Sequence, residues 1–233
     1  MRRKSRRDQL RYTKAVRHRA NRRKMGKPVF FTITHSHQKY KGFSNRYNYK
    51  ANLHNVVYKG GRFNNVKFQA SIITHCNFRQ TFLNGIDFFN SNLKNTSFKG
   101  AVLKNVIFFN CKFQNTDFTD TTLENVCFIC SNLSGANGLN FENSGIRICK
   151  SYPVLELPPE IETNLLSAAK NPSIFDSRVL HVNSKRINQW ILSLLIDEFG
   201  LGRLMQLSRW LNKKADWNNL YTVHSYEILL AKL

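Results

Sequence analysis

The chain has 233 residues, 42% of them hydrophobic, with 36 Lys and Arg against 14 Asp and Glu, for a formal charge of +22. That length allows one or two domains, and the absence of any run of eighteen apolar residues excludes a helical membrane span. No secretory h-region follows the basic start, and the five cysteines, an odd number, read as those of a reduced, cytoplasmic chain.

The charge is unevenly placed. Residues 1–30 hold thirteen Lys and Arg against the single acid Asp8, a net +12. Residues 1–28 read as a basic arm, helical or disordered, with Ser5 and Asp8 as a weak capping box for a helix over roughly residues 6–25. Its cations are Arg2, Arg3, Lys4, Arg6, Arg7, Arg11, Lys14, Arg17, Arg19, Arg22, Arg23, Lys24 and Lys27. Arginine dominates, which suits bidentate contact with phosphate. Such arms neutralise phosphates and release counterions. The alternatives are a solubilising tail or an anionic membrane surface, and a Trp/Phe/Leu face for the latter is missing.

Residues 29–50 read as an N-terminal cap. From Leu53 to Leu133 every fifth residue is large and apolar, seventeen positions in all. Two residues before each sits a small or β-branched one, from Ala51 to Ser131. Neither a helix nor a strand has this period, and a fixed internal repeat means a solenoid. Each pentad must be one short side of a coil, so that four sides close after twenty residues. Asn, Gly and Asp recur at the fifth place, as in Asn55, Gly60 and Asp120, where turn dihedrals are needed.

Ala51-Asn52-Leu53-His54-Asn55 and Ser91-Asn92-Leu93-Lys94-Asn95 show the motif A(N/D)LXX, and residues 51–137 resemble the pentapeptide-repeat family. The resemblance implies a mainly β fold, a right-handed quadrilateral parallel β-helix, here of a little over four coils. The register extends back to Phe43 and breaks at Gly138. Some proteins of that family bind type II topoisomerases and protect them from inhibitors by imitating DNA. Those mimics are acidic, whereas this coil carries eight Lys and Arg against four acids.

Positions twenty apart stack on one face, so the exterior also sorts into columns. Lys59, Arg79 and Lys99, followed by Thr119, form a cationic ladder that suits a phosphate backbone or simply keeps the coil soluble. Another face presents Phe89, Ile107, Phe109 and Ile129, with Phe82 and Val102 on the adjoining one. An apolar patch of that kind calls for a cover, either the C-terminal helices or a partner. Cys76 and Cys111 fall on the small inward column. Cys127 and Cys130 form a CxxC pair aimed outward and at a corner, with no second pair to complete a zinc site.

Residues 138–159 read as a connector marked by Pro153, Pro158 and Pro159, and residues 160–233 as an α-helical region. A helix over 159–170 starts at a proline. Arg178–Val182 reads as extended. Ser184 caps an amphipathic helix carrying Ile187, Trp190, Ile191, Leu194 and Leu195. Gly200 and Gly202 break it, a second helix carries Leu204, Met205, Leu207, Trp210 and Leu211, and a last one runs from about Trp217 to Lys232.

No phosphate loop, HExxH or Gly-x-Ser-x-Gly is present. His35 and His37 fall in a strand or cap, His54 and His75 at surface or corner positions, and His181 and His224 lack an evident carboxylate partner. The sequence therefore reads as a non-enzymatic binding protein without cofactor, metal or small-molecule substrate. Its expected partner is a nucleic acid or nucleoprotein, such as a topoisomerase–DNA complex or a ribosomal one. The alternative is a protein-interaction module binding or protecting a type II topoisomerase or another protein. A homodimer through the C-terminal end fits the resemblance.

Overall fold

The computed structural model describes residues 10–11, 13–14, 16–18, 20, 25, 30–36, 38–142, 145–213 and 218–233. A parallel β-solenoid of about six turns occupies the first two thirds of the chain, and helices follow it. Its strands are β1 (Thr32–Thr34), β2 (Ser44–Tyr49), β3 (Asn52–His54), β4 (Arg62–Gln69), β5 (Ile72–Thr74), β6 (Phe82–Phe89), β7 (Val102–Phe109), β8 (Thr116–Asp117), β9 (Thr122–Ile129), β10 (Ala136–Asn137) and β11 (Ile146–Cys149). The widest sheet has six strands in the order β11-β9-β7-β6-β4-β2. Its register is twenty residues per turn, with Phe68 on Phe88, Phe88 on Phe108 and Phe108 on Phe128.

The filtered columns fill the interior. Phe68, Phe88, Phe108 and Phe128 stack at centroid separations of 5.4, 5.1 and 5.0 Å. Tyr58, Phe78, Phe98 and Phe118 form a second stack at 5.0, 5.3 and 5.2 Å. The small column also carries hydroxyls, and each needs an acceptor once buried. It finds one in the coil below: Ser91 donates to the Phe68 carbonyl at 3.2 Å, Thr96 to Ile73 at 2.7 Å and Thr116 to Leu93 at 3.0 Å. Corners sit in the left-handed region, at Asn55, Asn65, Asn95 and Asn115 but also at Ala70, Gln80 and Cys130. A β-carbon costs about 1–2 kcal/mol there, and asparagine lowers that cost by local hydrogen bonding. The corner amides also bond along the stack, Asn65 to Asn45 and Asn115 to Asn95.

The coil exceeds the five-residue register at both ends. β1 pairs with β3 and β2 with β4, so the segment read as a cap is the first turn. β11 pairs with β9, so the segment read as a connector contributes the last one. Backbone pairing propagates without the side-chain filter, because main-chain groups need partners whatever the side chain.

Beyond the coil lie α1 (Pro159–Ala168), α2 (Pro172–Phe175), a two-stranded antiparallel pair β12 (His181–Asn183) and β13 (Arg186–Ile187), α3 (Gln189–Leu211) and α4 (Val223–Leu230). Asn188, not Ser184, stands at the N-terminus of α3, because residues 184–185 form the turn between β12 and β13. Gly200 alone interrupts α3, with φ 78° and ψ 163°, and Gly202 is helical. The last helix begins at Val223 behind a Thr222 capping box, and Trp217 lies outside the described residues. α1 packs on α3, tied by the two-pronged pair of Glu160 with Arg209 at 2.6 and 2.9 Å.

Candidate functional site: a docked face and a cationic face

The coil presents two contrasting sides. The side made by residues 66–70 and their twenty-residue echoes is covered. Phe89, Ile107, Cys127 and Ile129 are buried in one cluster with Ile161, Leu165, Ile191, Leu195, Tyr226 and Leu230, and Phe109 packs at its margin. Phe82 and Val102, half-buried on the neighbouring side, stay outside that cluster. The guanidinium of Arg62 lies 5.6 Å from the Phe82 ring centroid.

A fully buried ion pair sits in the dock. Lys67 Nζ lies 3.1 Å from Asp87 Oδ2, with both side chains at 0% exposure, and 3.3 Å from the Phe89 ring centroid. Asp87 also accepts from the Val223 backbone N–H at 3.1 Å, at the first turn of α4, where the helix dipole favours an anion. Burial pushes Asp87 up to about 6 and Lys67 down to about 8, each opposed by its partner. Corner residues complete the contact: Asn65 donates to the Asn219 carbonyl at 2.8 Å and accepts from Thr222 at 2.9 Å. Asn105 donates to His224 Nε2 at 3.3 Å. His224 has a carboxylate partner after all, Glu227 at 2.8 Å. A β-carbon on Gly85 would stand 2.8 Å from His224.

Across the coil, the side made by residues 56–60 and their echoes carries the cations. Lys39, Lys59 and Arg79 are exposed, and Lys99 is 41% exposed. Bridges from Val57 to Asn77 and from Asn77 to Ser97 set the segments carrying Lys59, Arg79 and Lys99 one above another, with their backbones about 4.8 Å apart along the coil. Lys99 meets Asp120 at 3.4 Å. Among the described residues no carboxylate is within ion-pair distance of Lys59 or Arg79. Lys39 lies opposite Val57, two residues out of register with this ladder. On the adjacent side Lys104 pairs with Glu124.

Arg11, Lys14 and Arg17 of the arm are helical and exposed. Arg2, Arg3, Lys4, Arg6, Arg7, Arg19, Arg22, Arg23, Lys24 and Lys27 lie outside the described residues, as do Ser5, Asp8 and His37. His54 lies between His35 and His75, edge to face with each, at centroid separations of 4.8 and 4.9 Å. Burial holds its pKa below the ordinary value, and the neighbouring His35, His75 and Arg11 add to the effect. His181 is buried and bonds the Leu165 carbonyl at 2.7 Å. Among the described residues no group of three or more His, Cys, Asp or Glu is placed to hold a metal, and no helix is long and apolar enough to cross a membrane.

Fold and repeat define the class, a pentapeptide-repeat scaffold. The family model "Pentapeptide repeats" matches residues 86–125 and 108–137, in eight copies, so this stretch of the coil is built of pentapeptide repeats. Solved structures similar to it include a pentapeptide repeat protein of the Arabidopsis thaliana thylakoid lumen, 18% identical, with 43% of this chain and 71% of that one covered and a TM-score of 0.33. QnrB1, a plasmid-mediated fluoroquinolone resistance protein, is 10% identical over 52% of this chain and 56% of that one, with a TM-score of 0.33. Rfr23 from the cyanobacterium Cyanothece 51142 is 13% identical over 58% of this chain and 96% of that one, with a TM-score of 0.21. Values this low say nothing of shared function. No curated protein matches the chain.

Proposed function

We propose that this protein binds nucleic acid or a nucleoprotein without catalysing a reaction, with the arginine-rich arm and the Lys59-Arg79-Lys99 ladder contacting phosphates and the coil acting as a rigid scaffold. The observation that carries this reading is the ladder itself. Its cations are held at fixed spacing by paired coils, on the side away from the docked helices, and Lys59 and Arg79 face solvent. Fixed cations lose less conformational freedom on binding than mobile ones. The arm adds a large share of the charge, +12 of the total +22. Affinity of this kind falls linearly with salt on logarithmic axes, by roughly 0.7–0.9 per phosphate neutralised. The test is fluorescence anisotropy of labelled single- and double-stranded oligonucleotides against the full chain and against a variant with the arm arginines changed to glutamine. Loss of affinity and a shallower salt slope support the reading; unchanged binding refutes it.

A second reading, a protein-interaction module, rests on the far end of the coil. Phe141 and Ile148 are exposed by 53% and 38% and line a groove of about 480 Å³ with Leu133 and Lys150. Self-association through this end would appear as a dimer mass in light scattering that Phe141→Asp converts to monomer.

A further inference from the structure

The CxxC spacing of Cys127 and Cys130 directs attention to the wrong pair. Cys130 occupies a corner, with φ 48°, and is exposed. Cys127 instead faces Cys149, with the sulfurs 3.7 Å apart, a thiol–thiol contact between β9 and β11. β11 lies two residues out of step with a direct pairing: Arg147 is opposite Cys127 and Cys149 is opposite Ile129. The two sulfurs therefore meet diagonally on the outer face.

Their surroundings differ. Cys127 is buried in the dock with Phe89 and Ile129. Cys149 is half-buried and has Arg147 on its own strand. Arg147 in turn pairs with Asp197 of α3. The Cys127 S–H donated to Cys149 and the nearby Arg147 guanidinium both favour a thiolate at Cys149, against burial and the Asp197 carboxylate. That same hydrogen bond, together with burial, pushes the Cys127 thiol up. A half-buried thiol with an arginine on its own strand and a second thiol 3.7 Å away is the arrangement of a reactive cysteine and its resolving partner.

We propose that Cys149 and Cys127 form a reversible oxidation site, in which Cys149 reacts with a hydroperoxide and Cys127 closes a disulfide. In the first step the Cys149 thiolate attacks the distal peroxide oxygen. The O–O bond breaks, Cys149 becomes a sulfenic acid, and the departing alkoxide or hydroxide takes a proton from water. In the second step Cys127, giving up its proton, attacks the Cys149 sulfur and expels water. Two thiols and one hydroperoxide become a disulfide, an alcohol or water, and one further water. The sulfurs must close to about 2.05 Å. β11 is the edge strand of its sheet, so it can shift toward β9 without breaking a ladder on its other side. The bond would fasten the last turn of the coil beneath the helices.

The full-length protein tests this directly. Reduced protein is treated with hydrogen peroxide, alkylated, digested and mapped by mass spectrometry. A Cys127–Cys149 linked peptide that dithiothreitol removes is the expected product. Cys76 and Cys111, sealed inside the coil with thiols pushed up to about 12, serve as unreacted controls. Cys130→Ser leaves the link intact. Cys127→Ser leaves Cys149 as a sulfenic acid that a 1,3-dione reagent traps. Arg147→Gln slows Cys149 alkylation at neutral pH several-fold and moves its pH midpoint upward. A wild-type map showing Cys130 linked to Cys149, Cys149 over-oxidised without a link, or Cys149 unreacted overturns the proposal.

Discussion

Two aromatic ladders run along this coil, one inside and one outside, and they are built by different rules. The inner ladder of Phe68, Phe88, Phe108 and Phe128 is buried by its own repeat, each ring stacked on the next at about 5 Å. The outer pair Phe89 and Phe109 stacks in a similar way, at 4.9 Å. Its shelter, however, comes from helices whose sequence begins some fifty residues later. The inner ladder is a local property of a twenty-residue period. The outer one is a tertiary contact, and there the chain places a buried ion pair and a helix N-terminus where the repeat alone would have left solvent.

The largest effect separating the two should come from the interior. Phe108→Ala leaves a cavity bounded by rigid stacked rings and should cost about 3–5 kcal/mol, with a cooperative loss of coil signal in urea unfolding. Asp87→Ala comes next, because it strands the Lys67 ammonium in the dock. Breaking a buried pair from one side costs about 3–5 kcal/mol. The loss should show first as early exposure of Trp190 and Trp210 in the helical region. Replacing both partners, Lys67→Met with Asp87→Leu, should restore most of that stability. A double mutant as unstable as Asp87→Ala would show that the pair itself, rather than the orphaned charge, matters.

Smaller changes sharpen the contrast. Gly85 and Gly100 have nearly the same dihedral, φ 63° and 65°. The β-carbon of Gly85→Ala meets His224 at 2.8 Å, whereas that of Gly100→Ala meets only Gln80 at 3.6 Å. Gly100→Ala should therefore cost only the left-handed penalty of about 1–2 kcal/mol. Gly85→Ala should cost more, with the excess vanishing in a His224→Gly background. The smallest effect runs the other way. Ala70 is held at φ 51°, and Ala70→Gly should stabilise the coil by about 1 kcal/mol, read as a rise in the urea midpoint.

The same divide sets what could be read in the sequence. The five-residue period exposes the interior columns completely, because an inward side chain has no freedom to be anything but apolar or small. The ends were less legible. Thr32–Thr34 and Ile146–Cys149 join the coil through main-chain bonds that leave no mark on residue type. The dock was harder still. Lys67 and Asp87 stand on outward positions, and an outward lysine reads as solvated unless the landing place of Val223 is known. Cys149 lies beyond the repeat and pairs diagonally across strands, so no spacing signal announces it. Asn188 displaced Ser184 as the start of α3 because a two-stranded turn intervenes, a short-range feature that the helical stripe conceals.

The central functional claim is that the uncovered cationic side follows phosphates. It is tested most directly by measuring oligonucleotide affinity of the full chain against salt, for the wild type and for Lys59→Ala/Arg79→Ala/Lys99→Ala. Each phosphate contact removed should lower the slope of log K on log salt by about one, uniformly across sequences, so the triple variant should lose two to three such steps. A wild-type slope near zero, or a triple variant with the wild-type slope and affinity, would contradict the account.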